Sequence, residues 1–237
     1  VISMIERRPF ADLGKAEHGW LHAVHHFSFA NYYDPERMGW GNLLVWNDDT
    51  IEPNTGFGTH PHKEMEIITY IRNGAITHGD SMGHLEKTYA GDVQVMSAGS
   101  GVWHSEHNRE DEAMQLFQIW IQPTMPSGSE APSYGNKPFP AADRHGQFGV
   151  LASGMGDEDA LPIRTNARVL GAFLKAGESL DYTFKDQDRY GYLVPALGQV
   201  TVNDVAIHER DGAAIHGEKT IRIVAQTDAE IVMVDTE

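Results

Sequence analysis

Two short segments of the chain carry the side chains best suited to chemistry. The first contains His60 and His62, and the second contains His104 and Glu106. Side chains on a β-strand alternate between its two faces, so each pair would share one face of a strand. If the two segments meet in the fold, three imidazoles and one carboxylate converge, a set that suits iron, copper, nickel, manganese or zinc. We therefore predict a metal site at these four residues.

Two further carboxylates would lie on the same strand face as the first histidine pair, because they follow it at intervals of two residues. Glu64 and Glu66 could be additional ligands, or they could orient a ligating imidazole. The competing interpretation is a solvated strand face, which is common for an isolated His-x-His in an acidic protein. The second pair follows a glycine-rich turn and favours metal binding, because four polar side chains are costly to bury unless something pairs with them.

The elements that must position these residues are typical of β-strands. Short apolar or alternating runs recur between turn signals such as Asn73-Gly74 and Ala90-Gly91-Asp92, and few windows have helical periodicity. The predicted strands are Asn42 to Asn47, Met65 to Arg72, Asp92 to Met96, Met114 to Ile121, Arg168 to Leu174, Tyr190 to Pro195, Gln199 to Val205, Thr220 to Ala225 and Glu230 to Val234. This pattern predicts an all-β fold, a sandwich or barrel of the jelly-roll type.

One shift in composition suggests a division into two domains. Residues 122–149 are rich in Pro, Gly and Ser and have no sustained apolar alternation, so we interpret them as the connection between domains. The two flanking regions share a plan of strand, glycine turn and strand, followed by Ala90-Gly91-Asp92 in one and Arg210-Asp211-Gly212 in the other. We therefore expect a duplicated fold.

The composition excludes several classes of function. The chain has 18 basic and 34 acidic residues, a formal net charge of −16 and no cysteine. A nucleic-acid binder or a protein of anionic membrane surfaces needs clustered basic residues, and the sequence has no run of Lys or Arg longer than Arg7-Arg8. Without cysteine, a metal must be held by nitrogen and oxygen. The N-terminus has no secretory pattern, so we expect a cytoplasmic location.

Around the predicted ligands, the sequence resembles the two cupin motifs. The first has His60-x-His62, Glu66 and Gly74, and the second has Gly91, a glycine-rich turn, His104 and Asn108. The match is closer still to the bacterial branch of the pirin family. The segments that carry it are His18 to Leu21, His25 to Pro35, Gly56 to His62, Met96 to Gly101 and Phe117 to Ile121. The resemblance is strong over residues 4–125 and weakens to a pattern in the second half.

The resemblance implies a bicupin, in which two jelly-roll β-barrel domains face each other. The implied domains are a metal-binding cupin over residues 1–125, a connection over residues 126–147 and a degenerate cupin over residues 148–237. The family's ligands map onto His60, His62, His104 and Glu106, and one divalent transition metal would occupy the N-terminal domain. We expect Fe(II), with Cu, Ni, Co, Mn and Zn as alternatives. The second half has only the lone histidines His208 and His216, so we predict no metal there.

The implied activity is that of a quercetinase, which opens a flavonol ring with dioxygen and releases carbon monoxide. A metal would bind the enolic hydroxyl of the substrate as an anion. Glu106 is then both a ligand and the catalytic base that accepts the hydroxyl proton. Side chains expected to line the substrate pocket are Phe57, Met65, Met96, Trp103, Phe117 and Gln118.

Two other functions fit the same sequence. Pirin relatives also act as transcriptional co-regulators, so the chain could be a metal-bearing module that regulates a partner protein. It could also be another cupin enzyme, such as an isomerase or a dioxygenase of a different enolic substrate, because cupin scaffolds host many reactions. In each case we expect a monomer without direct contact to nucleic acid or membrane.

Overall fold

The computed structural model describes residues 2–124 and 130–237 and is almost entirely β-structure. The chain divides into two compact units. The first unit comprises Gly14–Phe139 and Leu161–Thr165, and the second comprises Val1–Leu13, Pro140–Ala160 and Asn166–Glu237. Strand β1 (Met4–Arg8) belongs to the second unit because it pairs with a strand near the C-terminus. The units are therefore discontinuous in sequence, whereas the predicted domains are contiguous. The predicted boundary between residues 125 and 126 lies outside the described residues.

The first unit is built from two antiparallel sheets. Its strands are β2 (Gly14–Glu17), β3 (Leu21–His25), β4 (Leu43–Ile51), β5 (Thr55–His62), β6 (Glu66–Asn73), β7 (Ala75–Asp80), β8 (Leu85–Tyr89), β9 (Asp92–Ser97), β10 (Val102–Asn108), β11 (Met114–Ile121) and β12 (Ser133–Pro138). The larger sheet has the order β12-β9-β6-β11-β4-β3-β2, and the smaller sheet has the order β5-β10-β7-β8.

The second unit follows the same plan. Its strands after β1 are β13 (Gly149–Ser153), β15 (Ala167–Leu174), β16 (Ser179–Thr183), β17 (Tyr190–Leu197), β18 (Val200–Val202), β19 (Val205–Ile207), β20 (Gly212–His216), β21 (Thr220–Ala225) and β22 (Ala229–Thr236). The short β14 (Leu161–Pro162) lies in the segment Leu161–Thr165 of the first unit. The larger sheet of this unit runs β1-β20-β17-β22-β15-β13, and the smaller runs β16-β21-β18-β19.

The two strand orders correspond one to one. The runs β9-β6-β11-β4 and β5-β10-β7-β8 of the first unit reappear as β20-β17-β22-β15 and β16-β21-β18-β19 in the second. This topology is the duplication that the sequence predicts. Both units have the cupin arrangement of sheets, in agreement with the predicted fold class.

The predicted strands are present, with changes at their ends. The predicted strand at Gln199 to Val205 is divided by a turn into β18 and β19. Strand β4 continues past Asn47 through Asp48 and Asp49 to Ile51, although charged residues are poor strand formers. The predicted connection contains β12, which pairs with β9 along the edge of the larger sheet. An edge strand needs little apolar alternation, which explains why its sequence does not stand out.

Two short 3-10 helices, Phe10–Asp12 and Ala141–Arg144, are the described helical segments. Within the described ranges, no helix has the length and apolar character that crossing a bilayer requires.

A buried ion pair explains how Asp48 is tolerated within β4. Arg72 on β6 forms a salt bridge with Asp48, and both side chains are buried. The Arg72 guanidinium also lies 4.6 Å from the centre of the Phe117 ring on β11, the strand between β4 and β6. The pair therefore links three adjacent strands on one face of the larger sheet.

Removal of one partner of this pair leaves a buried charge without compensation. We expect Asp48→Ala to lower the free energy of unfolding by about 3–5 kcal/mol. All five tryptophans lie in the first unit, so urea denaturation followed by tryptophan fluorescence reports on that unit. The matched control is Lys87→Ala, which removes the more exposed Lys87–Glu110 pair and should change the transition little. Equal effects of the two variants would contradict the assignment.

Candidate metal centre

The two histidine segments lie on neighbouring strands of the smaller sheet. Strands β5 and β10 are antiparallel, and His104 lies directly opposite His60. His62 follows on the same face of β5, so the three rings form a compact group with centroids 4.4–4.8 Å apart. One nitrogen from each ring lies within 4.8 Å of the other two, and the group could hold a metal ion.

The donor set of this group fits a cation. The Nε2 atoms of His60 and His104 are 2.8 Å apart. His60 Nδ1 lies 2.6 Å from the Gly58 carbonyl oxygen and donates to it, which leaves a lone pair on Nε2. Burial lowers the pKa of His62 to about 4 and that of His104 to about 3, and the neighbouring histidines add to both shifts. These two imidazoles are therefore neutral at pH 7, as metal ligands must be.

Glu106 lies beside the three histidines, but it is not part of the group whose ligand atoms all lie within 4.8 Å of one another. A β-bulge between His104 and Glu106 shifts the register, so that Glu106 pairs with Phe57. Its Oε1 atom is 3.9 Å from His104 Nε2. The bulge is accommodated at Gly56, where an added Cβ would lie 2.3 Å from the Glu106 carbonyl oxygen. The assignment of Glu106 as a fourth ligand remains a prediction.

Two glutamines hold the Glu106 carboxylate. Gln94 donates to Oε2 at 3.1 Å, and Gln118 donates to Oε1 at 2.8 Å. The Gln94 carbonyl oxygen accepts from the Tyr134 hydroxyl, and the Gln118 carbonyl oxygen accepts from Trp120 Nε1, both at 3.1 Å. These contacts orient each amide so that its NH₂ faces Glu106. The sequence analysis proposed Gln118 as a wall of the substrate pocket and missed Gln94 and Trp120, since a strand glutamine or tryptophan has no distinctive spacing.

A cavity of about 180 Å³ opens beside the histidine group. Its apolar walls are Leu21, Ala23, Phe29, Phe57 and Trp120. Its polar lining residues are His25, Asn47, Asp49, His60, His62, Glu106 and Gln118. Edge-to-face contacts hold the two main aromatic walls, with Phe57 5.1 Å from Trp20 and Trp120 5.4 Å from Phe29 between ring centres.

The proposed substrate-pocket residues fall into two groups. Phe57 and Gln118 line the cavity. Met96 lies in a separate apolar cluster with Ile67, and Met65 packs against that cluster. Phe117 is fully buried on the opposite face of β11 from Gln118, because neighbouring residues of a strand point to opposite faces. Trp103 points outward for the same reason, next to the inward His104, and is 54% exposed.

The two extra carboxylates of the first segment lie outside the histidine group. Glu66 is fully buried on β6, where it accepts hydrogen bonds from Ser97 Oγ at 2.6 Å and from the Arg164 backbone N–H at 2.7 Å. It thereby attaches residues 161–165 to the sheet of the first unit. Glu64 occupies the turn between β5 and β6 with a φ of 50°.

The counterparts of β5 and β10 in the second unit have an apolar interior. Tyr182 on β16 and Ile221 and Ile223 on β21 belong to a large core cluster. His216 lies on β20, where its ring stacks on Tyr190 at 4.0 Å. His208 lies in the turn after β19. That neither histidine binds a metal remains a prediction.

Asp49 is the buried carboxyl group that the sequence analysis missed. It lines the cavity from β4, and its Oδ1 atom has no hydrogen-bond partner within the described structure. Burial, with the charges of Asp48 and Glu106, raises the pKa of Asp49 to about 8, although Arg72 opposes the shift. Asp49 is therefore a neutral carboxylic acid over most of the range below pH 8.

This raised pKa predicts a pH-dependent stability. Between pH 3.8, the ordinary pKa of an aspartic acid, and about pH 8, the folded state keeps a proton on Asp49 that the unfolded state loses. The contribution of Asp49 to stability is therefore full below pH 4 and falls as the pH rises to 8. We expect the melting temperature of the wild type relative to Asp49→Asn to fall across this window. A difference that is constant with pH would show that Asp49 is ionised in the folded protein.

Comparison with known proteins agrees with this architecture. A family model described as Pirin matches residues 6–121, and one described as Quercetinase C-terminal cupin domain matches residues 150–236. The chain is 62% identical to a pirin-like protein of Caulobacter vibrioides, over 98% of this chain and 99% of that protein. It is 41% identical to the quercetin 2,3-dioxygenase of Escherichia coli K12, over 98% of each.

A solved structure supports the same relationship. The bacterial pirin YhhW from Escherichia coli, in complex with nickel(II), matches with a TM-score of 0.92 and 39% identity, over 98% of this chain and 99% of that chain. The resemblance inferred from the motifs around His60 and His104 is thus confirmed along both units. The sequence matches, the duplicated topology and the three-histidine group together show that the chain belongs to the pirin family.

Proposed function

We propose that the chain is a metal-dependent dioxygenase that opens the ring of quercetin-like flavonols with O₂ and releases carbon monoxide. The observation that carries the proposal is the three-histidine group, of which His60 and His62 line a largely apolar cavity together with Glu106. The name of the Escherichia coli relative, quercetin 2,3-dioxygenase, supports this choice of reaction.

The chain's own residues would hold a divalent metal through His60, His62 and His104, with Glu106 as the predicted fourth ligand. The nickel in the related bacterial pirin supports a divalent ion, and we retain Fe(II) as the expected one. When bound, the metal supplies a positive charge that favours the anionic form of an enolic hydroxyl. Three imidazoles and one carboxylate would leave a residual positive charge on a divalent ion, which suits an anionic ligand.

Glu106 would act as the base. Gln94 and Gln118 already hydrogen-bond to its two carboxylate oxygens, and Oε1 lines the same space as the histidines. A substrate hydroxyl placed beside this oxygen can transfer its proton to it. The aromatic walls at Phe57 and Trp120 would hold a flat ring and keep water away from the reacting atoms.

Oxygen uptake with quercetin tests the proposal directly. The protein is stripped and reloaded in turn with iron, copper, nickel, manganese, cobalt or zinc, and metal content, oxygen consumption and carbon monoxide are measured. We expect uptake and carbon monoxide with at least one metal, and loss of both metal and uptake in His104→Ala. The matched control is His22→Ala, which removes a surface histidine paired with Glu17 and Glu52. Turnover that survives in His104→Ala would contradict the proposal.

Gln94 provides a test of the base. Gln94 donates a hydrogen bond to Glu106 Oε2 but does not line the cavity, so it is a positioning residue. We expect Gln94→Leu to lower kcat by roughly 10- to 100-fold with little change in KM, because outer hydrogen-bond partners of a site typically contribute that much. Unchanged kcat, measured at equal metal content, would show that the orientation of Glu106 does not matter.

One observation favours a second function, a metal-bearing module that regulates a partner protein. Three large apolar side chains of the smaller sheet are exposed, namely Trp103 (54%), Leu85 (73%) and Tyr89 (52%). Trp103 is adjacent to His104, so a partner on this surface could respond to the metal. Absence of oxygen uptake at confirmed metal occupancy would favour this function, as would a pull-down in which a partner binds the metal-loaded protein and not His104→Ala.

A further inference from the structure

A buried polar group in the cavity has no role in the proposed function. Asp49 lies on the inward face of β4 and is only 4% exposed. Its neighbours across the sheet are Ala23 on β3 and Leu116 on β11, which offer no side-chain hydrogen bond. Its Oδ1 atom is buried and has no partner within the described structure. A buried polar atom of this kind is destabilising unless a ligand or water satisfies it.

The charged groups around Asp49 favour its neutral form. Asp48, the residue before Asp49, points to the other face of β4, where it pairs with Arg72. Within the cavity, Asp49 shares the walls with Glu106 and with the imidazoles of His25, His60 and His62. Burial lowers the pKa of His25 and that of His62, so these rings are uncharged at neutral pH. Burial and the charges of Asp48 and Glu106 raise the pKa of Asp49 to about 8, against the opposing charge of Arg72, so its carboxyl group keeps a proton at neutral pH in the metal-free protein.

A neutral carboxyl group has a particular recognition chemistry. Its O–H donates one hydrogen bond and its carbonyl oxygen accepts another. A hydroxyl group of a ligand can take both roles, whereas a hydrocarbon edge can take neither. Asn47 lies two residues earlier on β4, where its Oδ1 accepts a hydrogen bond from His25 Nδ1 at 2.7 Å, and Asp49 Oδ1 still has no partner within the described structure.

The size of the cavity limits what it encloses. An apolar cavity of about 150 Å³ holds one benzene ring, and the cavity here measures about 180 Å³. A flavonol contains a fused two-ring system and a separate phenyl ring. The enclosed volume therefore accommodates one ring of such a molecule, with the remainder at the mouth.

We propose that the cavity encloses one aromatic ring of the substrate and that Asp49 hydrogen-bonds to a hydroxyl group on that ring, distinct from the hydroxyl that meets the histidines. This inference rests on the proposed function and deepens it. It makes Asp49 a specificity-determining residue and defines the substrate class as phenolic compounds with a second hydroxyl group remote from the metal-binding one.

The test compares two ligands and two variants by binding, without turnover. Quercetin carries ring hydroxyls in addition to its enolic hydroxyl, and 3-hydroxyflavone carries the enolic hydroxyl alone. Their dissociation constants are measured by fluorescence for zinc-loaded wild type, Asp49→Leu and Asp49→Asn. Asp111→Asn, the same substitution in an exposed loop, is the control.

We expect Asp49→Leu to weaken quercetin binding by roughly 10-fold or more, because a site built to hydrogen-bond a hydroxyl discriminates strongly when one partner is lost. Binding of 3-hydroxyflavone should be unchanged or tighter in the same variant. Asp49→Asn should retain part of the preference for quercetin, because an amide still donates and accepts. Asp111→Asn should behave as wild type.

The outcomes separate this inference from the proposed function. If both ligands bind and Asp49→Leu affects them equally, the inference is overturned while the proposed function stands. If neither ligand binds zinc-loaded protein, flavonol recognition fails and the inference fails with it.

Infrared spectroscopy provides an independent measurement that needs no ligand. The metal-free wild type should have a carboxylic-acid C=O band at neutral pH that is missing in Asp49→Asn. Its absence from the wild type would overturn the inference even if Asp49→Leu does not fold.

Discussion

The register between β5 and β10 is the constraint on which the candidate centre depends. It places His104 opposite His60 and lets His62 complete a group of three imidazoles. A slip of one residue in this pairing would turn His104 to the outer face and Trp103 to the inner face. The bulge before Glu106 is part of the same constraint, because it sets the carboxylate beside the histidines, where two glutamines can reach it.

Two carboxyl groups in one cavity have opposite environments. Glu106 accepts hydrogen bonds from the amides of Gln94 and Gln118. Asp49 faces apolar neighbours across the sheet and keeps an oxygen without a partner, which favours a neutral acid. The two carboxyl groups of the cavity thus differ in their hydrogen bonding, since Glu106 has two amide donors and Asp49 Oδ1 has no partner within the described structure.

The duplicated topology shows how one plan is used in two ways. Strands β5 and β10 carry histidines, whereas their counterparts β16 and β21 carry Tyr182, Ile221 and Ile223 into an apolar core. Strand β4 of the first unit buries two carboxyl groups, Asp48 paired with Arg72 and Asp49 with an oxygen that has no partner within the described structure. Charged residues are disfavoured within a buried strand, and β4 departs from this rule next to the candidate site. Such departures are expected at functional sites, where stability is lost in favour of function.

The sequence by itself determined the all-β class, the duplication and the histidine and glutamate candidates, because strand alternation and turn chemistry are local and repeat at short intervals. It did not reveal the continuation of β4 through Asp48 and Asp49, the strand β12, or the pairing of β1 with β20. Of the proposed pocket residues, Phe57 and Gln118 line the cavity, while Met96 and Phe117 are buried elsewhere. Only the tertiary structure decided these points, because they depend on which distant strands become neighbours and which face of each strand the cavity meets.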